Sequence, residues 1–190
     1  MARRRGRRRR FTTQRIPTIA VVALVVGLAV LMAQRGDGAG NDAPTTADPG
    51  AASVVRIVDG DTMVVRLDGG DEKLRLIGID TPESVATDRP NECFGKEATT
   101  QLTKLVPPGT AIRIARDVEP RDRYNRLLGY VYRASDDLFV NEDMVAKGFA
   151  EAKEYPPNTA MEGPLEAAES RARAAKAGFW GACGSADVPL

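Results

Sequence analysis

Apolar and polar positions change rhythm several times along this chain, and each change predicts an element. Residues 16–33, IPTIAVVALVVGLAVLMA, run for eighteen positions without a charge. At about 1.5 Å per residue a helix of this length reaches ~27 Å, close to the ~30 Å hydrocarbon core of a bilayer. The run has no polar face, so a transmembrane anchor, or a signal segment that is later cut, is expected over a buried core helix. Ahead of Gln34 stand Leu31, Met32 and Ala33, a poor cleavage site, which favours the uncut anchor. Residues 34–52 lose periodicity and collect Gly, Ala, Asp, Pro and Thr, the composition of a flexible linker.

Short alternating runs then begin. Val54–Val58 and Thr62–Leu67 flank Asp59-Gly60-Asp61, and Asp68-Gly69-Gly70-Asp71 makes a hairpin turn into a third strand over Lys73–Ile79. Ala98, Leu102 and Leu105 stand at helical spacing, and Pro107-Pro108-Gly109 stops that helix. Thr110–Ala115 and Leu127–Arg133 alternate as two further strands. A helix is expected after Asn141 as its cap, ending at Gly148, with Val140 stapled onto Val145. Another starts with Pro164 as first residue, aligns Leu165, Ala168, Ala172 and Ala175, and ends by Gly178. Three strands, a helix, two strands and two helices suit a small α+β domain over residues 53–190, built on a five-stranded barrel.

Composition narrows the chemistry. Among 190 residues there is no histidine, which removes Ser-His-Asp and Cys-His hydrolysis, imidazole acid–base catalysis and His-ligated zinc. Two cysteines are too few for a Cys-only zinc site. The net charge of +1 is a cancellation: residues 1–15 hold eight arginines and no acid, leaving 19 basic against 26 acidic side chains beyond them, a net of −7. Arginines beside an apolar run stay cytoplasmic, so the body is expected outside the cell membrane, or secreted if the segment is cut.

Three polar clusters remain for chemistry. Asp59-Gly60-Asp61-Thr62 joins two strands, and a plain turn accounts for it equally well. In Arg75-Leu76-Ile77-Gly78-Ile79-Asp80-Thr81-Pro82-Glu83 an arginine sits inside an apolar strand with two carboxylates at its exit. An unpaired buried guanidinium is costly, so Arg75 must face solvent or a ligand. Arg75 and Asp80 have opposite parity and share a face only if the strand kinks between them, with Gly78 the expected kink. Arg113, Arg116, Arg121, Arg123 and Arg126 form a local positive patch suited to phosphate, and Tyr155 lies in a polar loop beside Lys153. Together Asp61 and Asp80 offer hard oxygen ligands to a divalent cation. Arg75 and Arg126 can neutralise charge at phosphorus, and Glu83 is left to order or deprotonate a water.

The set DGDT, RLIGIDTPE and RDRYNR, in this order and spacing, resembles the thermonuclease family of staphylococcal nuclease-like domains, across residues 53–181. The resemblance implies an OB-fold five-stranded barrel with three helices and Ca²⁺-dependent endonuclease action on DNA and RNA that leaves 3′-phosphate ends. It implies that Asp61, Asp80 and the Thr81 carbonyl bind calcium, and that Arg75 and Arg126 grip the scissile phosphate. Glu83 is then the proposed base, while Arg123, Tyr124, Lys153 and Tyr155 meet the substrate of a monomeric enzyme. The chain departs from the family pattern at Asn125, where glycine is expected, at Lys153, where a tyrosine is, and at Arg123, where a lysine is. Cys93 precedes the first helix and Cys183 follows the last; outside the membrane they can pair, the other possibility being two buried thiols. A competing function is a membrane-anchored OB barrel that binds nucleic acid or protein without cutting. A third makes the arginine tip itself a binder of anionic lipid or nucleic acid.

Overall fold

The computed structural model describes residues 52–84, 91–186 and 188–189. The expected anchor over residues 16–33 and nearly all of the linker lie outside the described residues. No described helix is long and apolar enough to cross a membrane.

Five strands close the barrel: β1 (Ala52–Ile57), β2 (Thr62–Leu67), β3 (Gly70–Leu76), β5 (Ala111–Ala115) and β6 (Leu127–Arg133). β1 pairs antiparallel with β2 and β5, β2 with β3, and β5 with β6. The ring shuts where β3 runs parallel to β6, Leu74 facing Leu127 and Arg75 facing Leu128. This is the expected OB-fold topology. Closure removes the exposed edges that an open sheet of this size would carry.

Apolar alternation explains why these strands curl inward. Met63, Val65, Leu74, Leu76, Leu127 and Val131 are fully or almost fully buried. Each such Leu or Val side chain contributes roughly 1.5–3 kcal/mol over its exposed state. One end of the barrel is capped by α1 (Gly95–Leu105), which turns Ala98, Leu102 and Leu105 inward. α2 (Val140–Ala146) and α3 (Glu162–Ala174) complete the same core with Val140, Met144, Val145, Leu165 and Ala168.

Three features differ from the sequence expectation. The third strand does not run through to Ile79. It stops at Leu76 and restarts as β4 (Ile79–Asp80), with Gly78 between them at φ +78, a conformation that L side chains rarely adopt. A Cβ there would also collide with Leu165. Asn141 is not a cap. It sits inside α2, fully buried, where its Oδ1 accepts from the Val131 N–H at 2.9 Å and its Nδ2 donates to the Ile77 carbonyl at 2.9 Å. A buried amide must spend its donors and acceptors, and bridging β6 to the Ile77 carbonyl does so. α3 begins two residues before Pro164, and Ala175 falls past its end into solvent, so the buried seam is Leu165, Ala168 and Ala172.

Three short elements carried no usable pattern: β7 (Leu138–Phe139), β8 (Glu151–Ala152) and α4 (Phe179–Ala182). β8 pairs with β4, Asp80 opposite Glu151, and the Lys153 N–H continues that contact to the Gly78 carbonyl at 3.0 Å. Cys93 and Cys183 are joined by a disulfide across 6.2 Å of Cα separation.

Candidate active site

Barrel pairing, more than any loop, gathers the acidic and basic residues. Thr62 at the start of β2 lies opposite Arg75 near the end of β3. Asp61 therefore lies beside Leu76, whose N–H donates to the Asp61 carbonyl at 2.8 Å. The parallel closure sets Leu128 opposite Arg75, and Arg126, the residue before β6, lines the same cleft as Arg75. The kink at Gly78 turns Asp80 back onto the face that Arg75 occupies, which resolves the parity conflict between them.

The result is a cleft of about 420 Å³ lined by Asp61, Arg75, Asp80, Glu83, Arg126 and Lys153, with Asp59 and Glu92 at its wall. Arg75 is its hinge of charge. Only 8% exposed, it forms an ion pair from Nη1 to Asp61 Oδ2 at 2.9 Å, and donates from Nη2 to Asp80 Oδ1 at 2.9 Å and from Nη1 to the Leu76 carbonyl at 2.6 Å. A guanidinium forked between two carboxylates is held in orientation as well as neutralised. Asp61, 7% exposed, also accepts from the Thr62 hydroxyl at 3.0 Å and from the Thr81 N–H and hydroxyl at 3.3 and 3.2 Å. Burial pushes its carboxyl up, to about 7; Arg75 and Thr62 pull it back, while the Asp59 and Asp80 charges push with the burial.

Arg126 is tethered differently. Its Nε donates to Asp122 Oδ2 at 2.7 Å and its backbone N–H to Asp122 Oδ1 at 2.9 Å, which leaves the terminal amino groups for a ligand in the cleft. Burial works to raise the Asp122 carboxyl, but hydrogen bonds from Arg126 and its charge hold it below the usual carboxylate range. Asn125 sits in this tight turn at φ +63. Asparagine is among the side chains that tolerate the left-handed region best, so it serves where glycine was expected.

Arg126 also lines a second, adjoining cavity of about 400 Å³ with Arg123, Tyr124 and Tyr155. Tyr124 is 65% exposed, and the Arg123 and Arg126 guanidinium carbons lie 4.7 and 5.6 Å from its ring centre. The Tyr155 loop is fastened to the arginine loop by buried Asn158, which accepts from the Glu119 N–H at 2.7 Å and donates to its carbonyl at 3.0 Å. Lys153 approaches Asp80 Oδ2 at 3.7 Å. All predicted catalytic, metal and substrate residues thus line one or the other of two cavities that share Arg126. The predicted cysteine pair lines neither cavity: Cys93 precedes α1 and Cys183 follows α4.

Sequence reasoning missed Asp122, Glu92, Asp59 and Asn158 as parts of the site. Asp122 carried a readable signal in its place four residues before Arg126, and Asp59 stood in the first polar cluster without a role assigned to it.

The donor set suits a hard cation. Asp61 and Asp80 present carboxylate oxygens to one cleft that has no thiolate or imidazole. Among the described residues no three acidic side chains gather into a complete cage. Backbone carbonyls and water would therefore complete the shell, as calcium and magnesium accept.

Comparison with known proteins agrees with this geometry. A profile of the family described as staphylococcal nuclease homologue matches residues 73–182. The chain is 36% identical over 165 residues to a thermonuclease of Staphylococcus intermedius, covering 86% of this chain and 96% of that one. It is 33% identical over 162 residues to a thermonuclease of Staphylococcus hyicus, covering 85% and 94%. Over 133 residues it is 34% identical to the endonuclease YncB of Bacillus subtilis strain 168, covering 68% and 61%. With a closed five-stranded barrel, a cleft of paired acids and arginines, and these relatives, the chain belongs to the staphylococcal nuclease homologue family.

Proposed function

We propose that this nuclease is a calcium-dependent endonuclease that hydrolyses DNA and RNA outside the cytoplasm and leaves 3′-phosphate ends. The observation that carries the reading is Arg75 forked between Asp61 and Asp80 in the cleft that Arg126 and Glu83 also line. Asp61, Asp80 and the Thr81 carbonyl would hold the cation, which supplies positive charge at a phosphate oxygen. Arg75 and Arg126 neutralise the charge that grows at phosphorus as a water oxygen attacks in line with the departing 5′-oxygen. Glu83 orients that water or takes its proton, and the phosphoryl group stays on the 3′ side. Tyr124, Arg123, Lys153 and Tyr155 bind the neighbouring nucleotide, the tyrosines offering faces for a base.

Placement outside the cytoplasm is supported by the arginine-rich residues 1–15, the apolar residues 16–33, and a disulfide of the kind that oxidising compartments preserve. Mass measurement of the mature protein from washed membranes and from medium tests both the anchor and the export.

The activity test is hydrolysis of heat-denatured DNA with calcium, with chelator, and with Arg75→Ala. Chelator should abolish cutting, and calcium should restore it. Arg75→Ala should lose on the order of a hundredfold or more. Products should resist polymerase extension until treated with phosphatase. Cutting untouched by chelator defeats the calcium assignment, and wild-type activity in Arg75→Ala moves the site elsewhere.

A further inference from the structure

Glu83 lies three residues beyond β4, outside any strand, so the barrel ladder does not fix it. Its backbone is held instead by Glu92. The Glu83 N–H donates to Glu92 Oε2 at 2.7 Å, and the Glu92 N–H donates back to the Glu83 carbonyl at 2.8 Å. Glu92 is itself only 8% exposed and lines the same cleft. A carboxylate this buried needs fixed donors, and the Glu83 N–H is one of them.

What keeps Glu92 there is the far end of the chain. Glu92 makes an antiparallel bridge to Pro189, and the Cys93 N–H donates to the Val188 carbonyl at 2.7 Å. Cys93 is cross-linked to Cys183, ninety residues away in sequence. On the opposite side α1 forms a wall. A Cβ at Gly95 would stand 2.6 Å from the Glu83 carbonyl oxygen, and Ser84 Oγ meets Thr99 Oγ1 at 2.9 Å. Glu83 is thus gripped between a helix and a disulfide-tied tail, with Glu92 the contact that reaches it.

We propose that Glu92 is a positioning residue for Glu83, and that the C-terminal tail cross-linked through Cys93–Cys183 holds Glu92 in register for cutting. The proposal rests on Glu83 acting at the attacking water. It adds that the geometry of that glutamate is set from outside the barrel and depends on the disulfide.

The test uses the full chain, a short single-stranded oligonucleotide and saturating calcium, with kcat and KM measured and corrected for folded fraction. Glu92→Ala should lower kcat by roughly tenfold or more, as small misplacement of a reacting group does, with KM held within about twofold. Glu92→Gln keeps an acceptor oxygen at the same reach and should recover most of the loss. Should Glu92→Ala fold poorly, Glu92→Asp withdraws the oxygen by one methylene and gives the same reading. The double variant C93S/C183S should lower kcat in the same way, and combining it with Glu92→Ala should add little.

Glu83→Gln separates the two layers. Loss of kcat in Glu83→Gln with wild-type kcat in Glu92→Ala overturns the positioning role and leaves the role of Glu83 standing. Wild-type kcat in Glu83→Gln removes both. A loss that tracks unfolded fraction, or falls on KM alone, makes Glu92 merely structural and overturns the proposal. Full kcat in C93S/C183S overturns the part played by the tail.

Discussion

Replacing Asp122 by alanine probes the site without touching any group placed against the reacting phosphate. Asp122 accepts three hydrogen bonds: from Arg126 Nε at 2.7 Å, from the Arg126 N–H at 2.9 Å and from the Tyr124 N–H at 2.9 Å. The two backbone donors lie in a partly exposed turn, where water can replace the lost acceptor, so the fold should lose only about 1–2 kcal/mol. The Nε contact is a charge-assisted bond worth roughly 1.5–3 kcal/mol, and it orients the guanidinium beside the Tyr124 ring. If that orientation is used in the transition state, the same energy appears as a loss of about ten- to a hundredfold in kcat/KM. Asp122→Asn keeps a neutral acceptor and should fall between. The assay is steady-state cleavage of a fluorophore–quencher oligonucleotide at saturating calcium, beside a thermal melt of each variant. A double-mutant cycle with Arg126→Ala completes it, because once Arg126 is gone the loss of Asp122 should cost little. Asp122→Ala within about twofold of wild type, or costs that simply add to those of Arg126→Ala, would refute the reasoning.

Other consequences can be checked more briefly. Gly78→Ala should cost about 1–3 kcal/mol through its positive φ, more through the collision with Leu165, and should also depress activity by rotating Asp80 off Arg75; a melting temperature equal to wild type would show that the kink is unstrained. The Asp122 carboxyl is held below its ordinary range, so the stability it adds is complete above the unfolded aspartate value of about 3.9 and is lost as pH falls through its lowered folded value. The stability gap between wild type and Asp122→Asn should therefore be flat at neutral pH and close on acidification; a gap that widens toward acid reverses the sign and defeats the assignment. C93S/C183S opens a cross-link spanning ninety residues and should lose roughly 4–5 kcal/mol on the chain-entropy account, read from denaturant midpoints. An unchanged midpoint would mean that the bridge constrains nothing in the unfolded chain.

Much of this protein could be read before any coordinates. Period-two runs located the five barrel strands, and spacing of three and four located the faces of α1 and α3, because apolar side chains leave water on whichever face the backbone period presents. The lack of histidine removed imidazole chemistry and left carboxylates, hydroxyls and guanidinium groups as the candidates. Gly78 was legible as a kink because Arg75 and Asp80 could not otherwise share a face.

Other features depended on the packed chain. Asn141 looked like a helix cap from its neighbours alone, yet burial between β6 and Ile77 gave its amide a different use. Two-residue strands such as β8 exist only because β4 offers them a ladder, so no local pattern announces them. Asp122 and Glu92 are ordinary acids in sequence. They join the site because a turn folds one back onto Arg126, and the other, bridged to Pro189, accepts from the Glu83 N–H. Local periodicity determines which residues leave water and therefore the elements. The partners of a buried polar atom are decided only when distant segments meet, since the cost of leaving it unpaired is felt only once water is gone.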